Sequence, residues 1–253
     1  MKRILVMALA ATMSLTSALA QRTTDKLDRG LVAVPASSGS GNFVSWKILG
    51  EEYYDTEYNL YRDGTLVNST PLKVSNYVDT GGKSSSKYQV APVVRGVEQA
   101  KSAEVARWNA QYKDIAISGV TNRNDKDVTS KYEINDISLG DVDGDGTVEF
   151  IIKRNNTSGD LNTAANTTDF NHYECYTITG KRLWWIDLGP NLMAGPDEQW
   201  DLVAFDWDQD GKAECLMRGA DNMVIHTASG KTINVGNMSY VAPRDEYTHQ
   251  GAE

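Results

Sequence analysis

The 253-residue sequence is poor in cysteine (two), histidine (three) and proline (six), and its 25 basic residues are outnumbered by 34 acidic ones. Two cysteines, Cys175 and Cys215, allow at most one disulfide, and both fall in strand-like apolar runs where a free thiol also packs as a small hydrophobe. His172, His226 and His249 stand apart from any Ser or Cys partner and read as structural. A net charge of −9 argues against nucleic acid and anionic membrane as partners. Beyond the first twenty residues no apolar run approaches a transmembrane length. Nor is there a long stretch of 3.6-residue periodicity, and with abundant Tyr, Trp, Gly, Thr and Asn the chain reads as all-β.

What is present begins with a leader. Lys2-Arg3, an apolar run from Ile4 to Ala11 and Ala18-Leu19-Ala20 before Gln21 form a secretory signal peptide, cleaved after Ala20. The product is expected to be secreted or periplasmic, and loss of Lys2 and Arg3 makes it two units more negative.

Two stretches repeat one pattern sixty-five residues apart: Asp141-Val142-Asp143-Gly144-Asp145-Gly146-Thr147-Val148-Glu149 and Asp206-Trp207-Asp208-Gln209-Asp210-Gly211-Lys212-Ala213-Glu214. Carboxylates at alternate positions around a glycine turn wrap a hard cation in oxygen, as calcium loops do. An EF-hand closes on a Glu at position twelve, but Ile152 and Met217 stand there and cannot ligate. The closing acid is the ninth residue, and a short buried-strand pattern follows it. The expected Ca²⁺ ligands are Asp141, Asp143, Asp145, the Thr147 carbonyl and Glu149, and in the second loop Asp206, Asp208, Asp210, the Lys212 carbonyl and Glu214.

From Leu27 to Trp108 short strands and turns recur: Gly30–Pro35, Asn42–Lys47, Glu57–Arg62 with the Asp63-Gly64 turn, Thr65–Asn68, Tyr77–Asp79 and Lys87–Val94. That fits a fibronectin type III-like β-sandwich over 25–108, with Trp46 as core indole and Tyr88 a candidate tyrosine-corner residue. The second region, 112–253, opens with a strand at Ile115–Ser118. Two units follow, each with an entering strand, an acidic loop, an outgoing strand and a hairpin. Four strands per unit predict propeller blades, here the first blades of an incomplete propeller, and so the N-terminal part of a longer protein.

Leu27–Val34, Phe43–Trp46, Tyr58–Gly64, Asn135–Gly146 and Arg182–Gly189 resemble, in this order, rhamnogalacturonan lyases of polysaccharide lyase family 11. The resemblance implies a fibronectin III-like domain followed by an eight-bladed propeller holding several Ca²⁺ ions. It further implies cleavage of a rhamnose–galacturonate pectin backbone by β-elimination, and hence an acidic plant-type polysaccharide as partner of a monomer. Substrate contacts are expected from an Asn-rich loop (Asn155, Asn156, Asn162) and from Glu174, which stands where the family carries Asp before Ala-Tyr. No residue is identified as the catalytic base. The chain departs from the family at Pro196–Trp200, where His and aromatic residues are expected, and at Arg218–Asn222, which replaces Lys-Thr-Ala-Asp-Gly. It is expected to be a divergent member.

Propellers host both catalysts and binding scaffolds. The alternative is a non-catalytic calcium-stabilised propeller that binds glycan or protein.

Overall fold

The structure, a computed structural model, describes residues 24–157, 168–192 and 202–242. The leader over 1–20, Asn162 and His249 lie outside the described residues. Among the described residues the fold is all-β, with one-turn 3-10 helices at Thr129–Lys131 and Pro190–Leu192 and no helix long and apolar enough to cross a membrane.

The first region holds β1 (Val32–Pro35), β2 (Asn42–Ser45), β3 (Glu57–Arg62), β4 (Thr65–Leu66), β5 (Asn76–Asp79), β6 (Lys87–Val94), β7 (Val97–Glu98) and β8 (Val105–Ala106). One sheet runs β1-β2-β5, the other β4-β3-β6-β7 with β8 also on β6. Asp63-Gly64 and Arg95-Gly96, each with positive φ at both residues, make the tight turns after β3 and β6. That handedness matches the twist of the paired strands. A single apolar cluster draws Ala33 and Val44 from one sheet and Tyr58, Leu60, Tyr88 and Val90 from the other, with Trp46 edge-on to Tyr58 at 5.4 Å.

Tyr88 is not a tyrosine corner, whose hydroxyl bonds back to the main chain. Its hydroxyl donates to Asp79 Oδ2 (2.7 Å) and accepts from Asn42 Nδ2 (2.8 Å), both buried side chains. The strand expected at Ile115–Ser118 is also absent. That segment is spent on side-chain contacts instead, with the Ser118 amide donating to the Tyr176 hydroxyl at 3.0 Å.

The second region holds β9 (Tyr132–Gly140), β10 (Glu149–Asn156), β11 (His172–Tyr176), β12 (Arg182–Asp187), β13 (Val203–Phe205), β14 (Glu214–Leu216), β15 (Met223–His226) and β16 (Thr232–Val235). Strands β9 to β12 form an antiparallel meander, as the four-strand plan predicts. The second unit departs from that plan. Its β13 and β14 pair only with each other, while β15 and β16 extend the first sheet through β12. The break follows from residues 217–222, which run outside any strand and end at Asn222 with φ 67°. A reversal there carries Met223–His226 away from β14 and onto β12. One face of the six-stranded sheet is apolar: Ile151, Tyr173, Cys175, Leu183 and Ile186 pack against Leu202, Ala204 and Cys215. Both cysteines are free thiols in this cluster.

Candidate metal loops and a buried polar face

The two acidic loops share most of their internal bonding, but Asp141 Oδ1 also accepts from the Gly144 and Asp145 amides and Asp206 Oδ1 has no such donors. Gly146 and Gly211 amides donate to Asp141 Oδ2 (2.8 Å) and Asp206 Oδ2 (3.0 Å). Asp145 and Asp210 amides donate to Asp143 Oδ1 (3.3 Å) and Asp208 Oδ1 (3.0 Å). Val142 and Trp207 amides donate to Glu149 Oε2 and Glu214 Oε2, both at 2.9 Å. Such turns need a reversal without a Cβ, and Gly146 and Gly211 supply it at φ 89° and 96°. Repetition of sequence therefore becomes, in large part, repetition of geometry.

Asp141, Asp143 and Glu149 bring one oxygen each to within 4.8 Å of one another, and so do Asp206, Asp208 and Asp210. Asp145 and Glu214 fall outside these groups. The Asp145 carboxylate accepts instead from the Thr147 amide at 2.7 Å, and the Asp210 carboxylate from the Lys212 amide at 2.9 Å. Burial, with Asp143, Asp145 and Asp141 close by, pushes Glu149 up to about 7. Asp206 Oδ1 is buried without a hydrogen-bond partner. Crowded carboxylates and an orphaned acidic oxygen fit a hard divalent cation bound by oxygen alone.

The opposite face of the six-stranded sheet is polar and aromatic. Register pairs Arg154 with His172, Glu174 with Trp185, His172 with Asp187 and Trp185 with His226, so these six share that face. His172 and His226, isolated in sequence, thus meet around one indole. Trp185 stacks on His226 at 3.7 Å with 2° between planes, His172 lies 4.7 Å from Trp185, and Tyr132 lies 5.6 Å from His172.

Glu174 is not a surface carboxylate but is 0 % exposed. Tyr176 donates to its Oε2 at 2.5 Å, Arg154 Nη1 lies 3.5 Å from Oε2, and His172 Nδ1 lies 3.7 Å from Oε1, beyond hydrogen-bonding reach. Burial pushes Glu174 up, but His172, Tyr176 and Arg154 outweigh it and hold the carboxyl below its ordinary value. Arg154 Nη1 also donates to the Ser118 carbonyl at 3.3 Å.

Asn155 and Asn156 belong to no loop. They are the last residues of β10 and are buried, because that strand stays paired to β9 through Asn156. Asn156 donates to the Asp169 carbonyl at 2.8 Å. Both atoms of the Asn155 amide, Arg154 Nε and Glu174 Oε1 are buried without a hydrogen-bond partner. Such unsatisfied donors and acceptors cost free energy, and they gather where a polar ligand or water is to be met.

Arg154, Tyr176 and Trp185 were not singled out by the sequence. A signal existed: β10 turns from Phe150-Ile151-Ile152 to Lys153-Arg154-Asn155-Asn156, and a strand that becomes polar halfway is facing something other than core. The rim of this face is tied by Arg123, which donates to Asp187 Oδ2 (2.7 Å), Asp187 Oδ1 (3.0 Å) and Asn222 Oδ1 (2.7 Å).

Comparison with known proteins places this geometry. The "Rhamnogalacturonan endolyase YesW" of Bacillus subtilis (strain 168) is 38% identical over 224 residues, which is 87% of this chain and 35% of the relative. The "Rhamnogalacturonan exolyase YesX" of the same organism is 36% identical over 86% of this chain and 35% of its own length. Among solved structures, the Bacillus licheniformis rhamnogalacturonan lyase PL11 matches with TM-score 0.72 and 37% identity, over 87% of this chain and 37% of that one. The chain thus spans about a third of the length of the curated relatives it matches. The sequence profile "Rhamnogalacturonan I lyases beta-sheet domain" matches residues 22–108, and "Rhamnogalacturonan lyase family 11, C-terminal domain" matches residues 112–253. With the two profiles in that order and the second covering more than half of the sequence, the chain belongs to rhamnogalacturonan lyase family 11.

Proposed function

We propose that the full-length protein is an exported, Ca²⁺-dependent polysaccharide lyase that cleaves the rhamnose–uronate backbone of rhamnogalacturonan by β-elimination. The observation that carries this reading is the match of both halves of the chain to the family, at 36–38% identity to two relatives named as rhamnogalacturonan lyases. Under it, residues 25–108 are a fibronectin III-like sandwich and 112–253 the first blades of a propeller. The leader directs a monomer to the periplasm or exterior after cleavage at Ala20.

The reaction sets the demands on the site. The C5 proton of a uronate is weakly acidic while its neighbouring carboxylate keeps its charge. A cation or arginine at that carboxylate stabilises the developing enolate-like charge, and a positioned base removes the proton. Arg154 supplies the cation on the polar face. Glu174 and the Ser118 carbonyl fix the orientation of its guanidinium. Bound Ca²⁺ would be held by Asp141, Asp143 and Glu149 and by Asp206, Asp208 and Asp210, where it neutralises crowded carboxylates and stiffens the strand entrances.

One observation favours the non-catalytic alternative: Arg154 and Glu174 are 3 % and 0 % exposed, which suits a structural ion pair as well as a binding one. A single assay separates the two. Full-length protein is incubated with rhamnogalacturonan and Ca²⁺ while the ultraviolet absorbance of unsaturated uronate is followed. A rising signal that chelation abolishes is the expected result, and a flat trace on every uronate polymer tried overturns the lyase reading.

A further inference from the structure

Residues 25–28 precede the first sandwich strand, yet they reach across to both acidic loops. Asp25 Oδ1 accepts from the Asp206 amide at 2.9 Å, and Lys26 Nζ donates to the Gln209 carbonyl at 3.1 Å. Two residues on, the Asp28 amide donates to the Gly146 carbonyl at 2.7 Å. The same short segment is fixed to the first region at its other end. The Lys47 amide donates to the Arg29 carbonyl at 2.7 Å, Arg29 pairs with Glu52 at 2.6 Å, and Asp28 Oδ1 accepts from the Gly30 amide at 2.7 Å. Five consecutive residues, 25–29, therefore connect the sandwich core to both loops with no slack between the anchors.

The electrostatics of this contact depend on what the loops hold. Asp25 adds a carboxylate beside Asp206, whose Oδ1 is already buried and unpartnered, with Asp208 and Asp210 close by. Lys26 brings a single ammonium to that group. Carboxylates outnumber ammonium groups here and repel one another, whereas a divalent cation among them offsets much of that charge. The Asp28–Gly146 bond has its own requirement, because Gly146 presents its carbonyl only while the first loop keeps its turn.

We propose that residues 25–28 form a cation-dependent strap. Its docking on the paired loops is strengthened when they are filled and weakened when they are emptied, so that metal occupancy sets how firmly the first region is seated on the second. The proposal rests on reading the loops as cation sites.

Hydrogen exchange of full-length protein tests it, with Ca²⁺ binding followed independently by calorimetry. The expected result is exchange over residues 24–31 slowed about tenfold by Ca²⁺, while the β6 segment 87–94 exchanges alike in both conditions as a fold control. Asp25→Asn is expected to remove part of that protection without changing the number of ions bound. Lys26→Gln, which leaves the carboxylates intact, is expected to loosen the strap when the loops are emptied and to matter less once they are filled. Ca²⁺ that binds without slowing exchange over 24–31 overturns the strap and leaves the loops as metal sites. Absence of Ca²⁺ binding overturns both.

Discussion

The backbone amide of Ala213 donates to the carbonyl of Asp141 at 2.6 Å, so the eighth residue of one acidic loop is bonded to the first residue of the other. The loops touch elsewhere too: a Cβ placed on Gly144 would come within 3.0 Å of the Lys212 side chain. Two sites joined by a main-chain bond are not expected to fill independently. Ca²⁺ should therefore raise the thermal midpoint, with roughly 2.7 kcal/mol per site expected at a hundredfold excess over Kd. Asp206→Asn should weaken the response of the first loop as well as its own. Calorimetry with and without chelator checks this, and an unchanged midpoint sinks the metal assignment.

Glu174 supplies the only acidic group within ion-pairing distance of Arg154 among the described residues, and both are buried. Glu174→Ala strands the guanidinium with the Ser118 carbonyl alone. Breaking a buried pair from one side costs about 3–5 kcal/mol. Glu174→Gln should cost less, since an amide still accepts from Tyr176. Removing both charges with Arg154→Met/Glu174→Leu should recover much of the loss. Urea unfolding of the three variants provides the comparison.

Sequence pattern reached the strands and loops well, because both depend on local periodicity. Glu57–Arg62 and Lys87–Val94 appear with the predicted bounds, since each is an apolar or alternating run stopped by turn residues. The acidic loops were legible for the same reason: their carboxylates lie within nine residues. The polar face was only partly so. Asn155, Asn156 and Glu174 were singled out as substrate contacts, the two asparagines as loop residues, but not as buried groups. Their burial depends on β10 continuing to Asn156 and on β15 joining β12, pairings that no local window records. The strap was invisible, because Asp25 and Asp206 are 181 residues apart. Ile115–Ser118 reads as a strand, yet its Ser118 amide serves Tyr176, so long-range contact outweighed propensity.

His226 stacks on Trp185 and has a pKa lowered by burial, with His172, Arg182 and Arg123 adding to the effect and Asp187 opposing it. A histidine whose folded pKa lies below its unfolded value, about 6.5, binds its proton more weakly in the fold. Its contribution is complete above pH 6.5 and falls as pH drops toward the folded pKa. The thermal midpoint should decline over that interval, and His226→Gln should flatten the decline. Glu174 has its carboxyl pKa depressed in the fold, so its share is lost only at lower pH, below about 4.5. The loss that begins near pH 6.5 should therefore respond to His226→Gln, and the loss that begins below about 4.5 should not.

In the first region the buried polar group to remove is the Tyr88 hydroxyl. It joins Asn42 to Asp79, while Arg62 Nη1 reaches both Asp79 oxygens at 2.6 and 2.8 Å and Arg107 Nε donates to Asn42 Oδ1 at 3.1 Å. Tyr88→Phe keeps the ring among Val44, Leu60 and Val90 but takes a donor from Asp79 and an acceptor from Asn42. Leaving such groups short of partners costs about 1–3 kcal/mol. Arg62 still satisfies Asp79, so the lower half of that range is expected for Tyr88→Phe and the upper half for Tyr88→Phe with Arg62→Met. Neither change touches a loop residue, so calcium affinity should stay within twofold while the unfolding midpoint of the first region falls. A fall in calcium affinity as large as the fall in stability would show instead that this hydroxyl network also holds the loops.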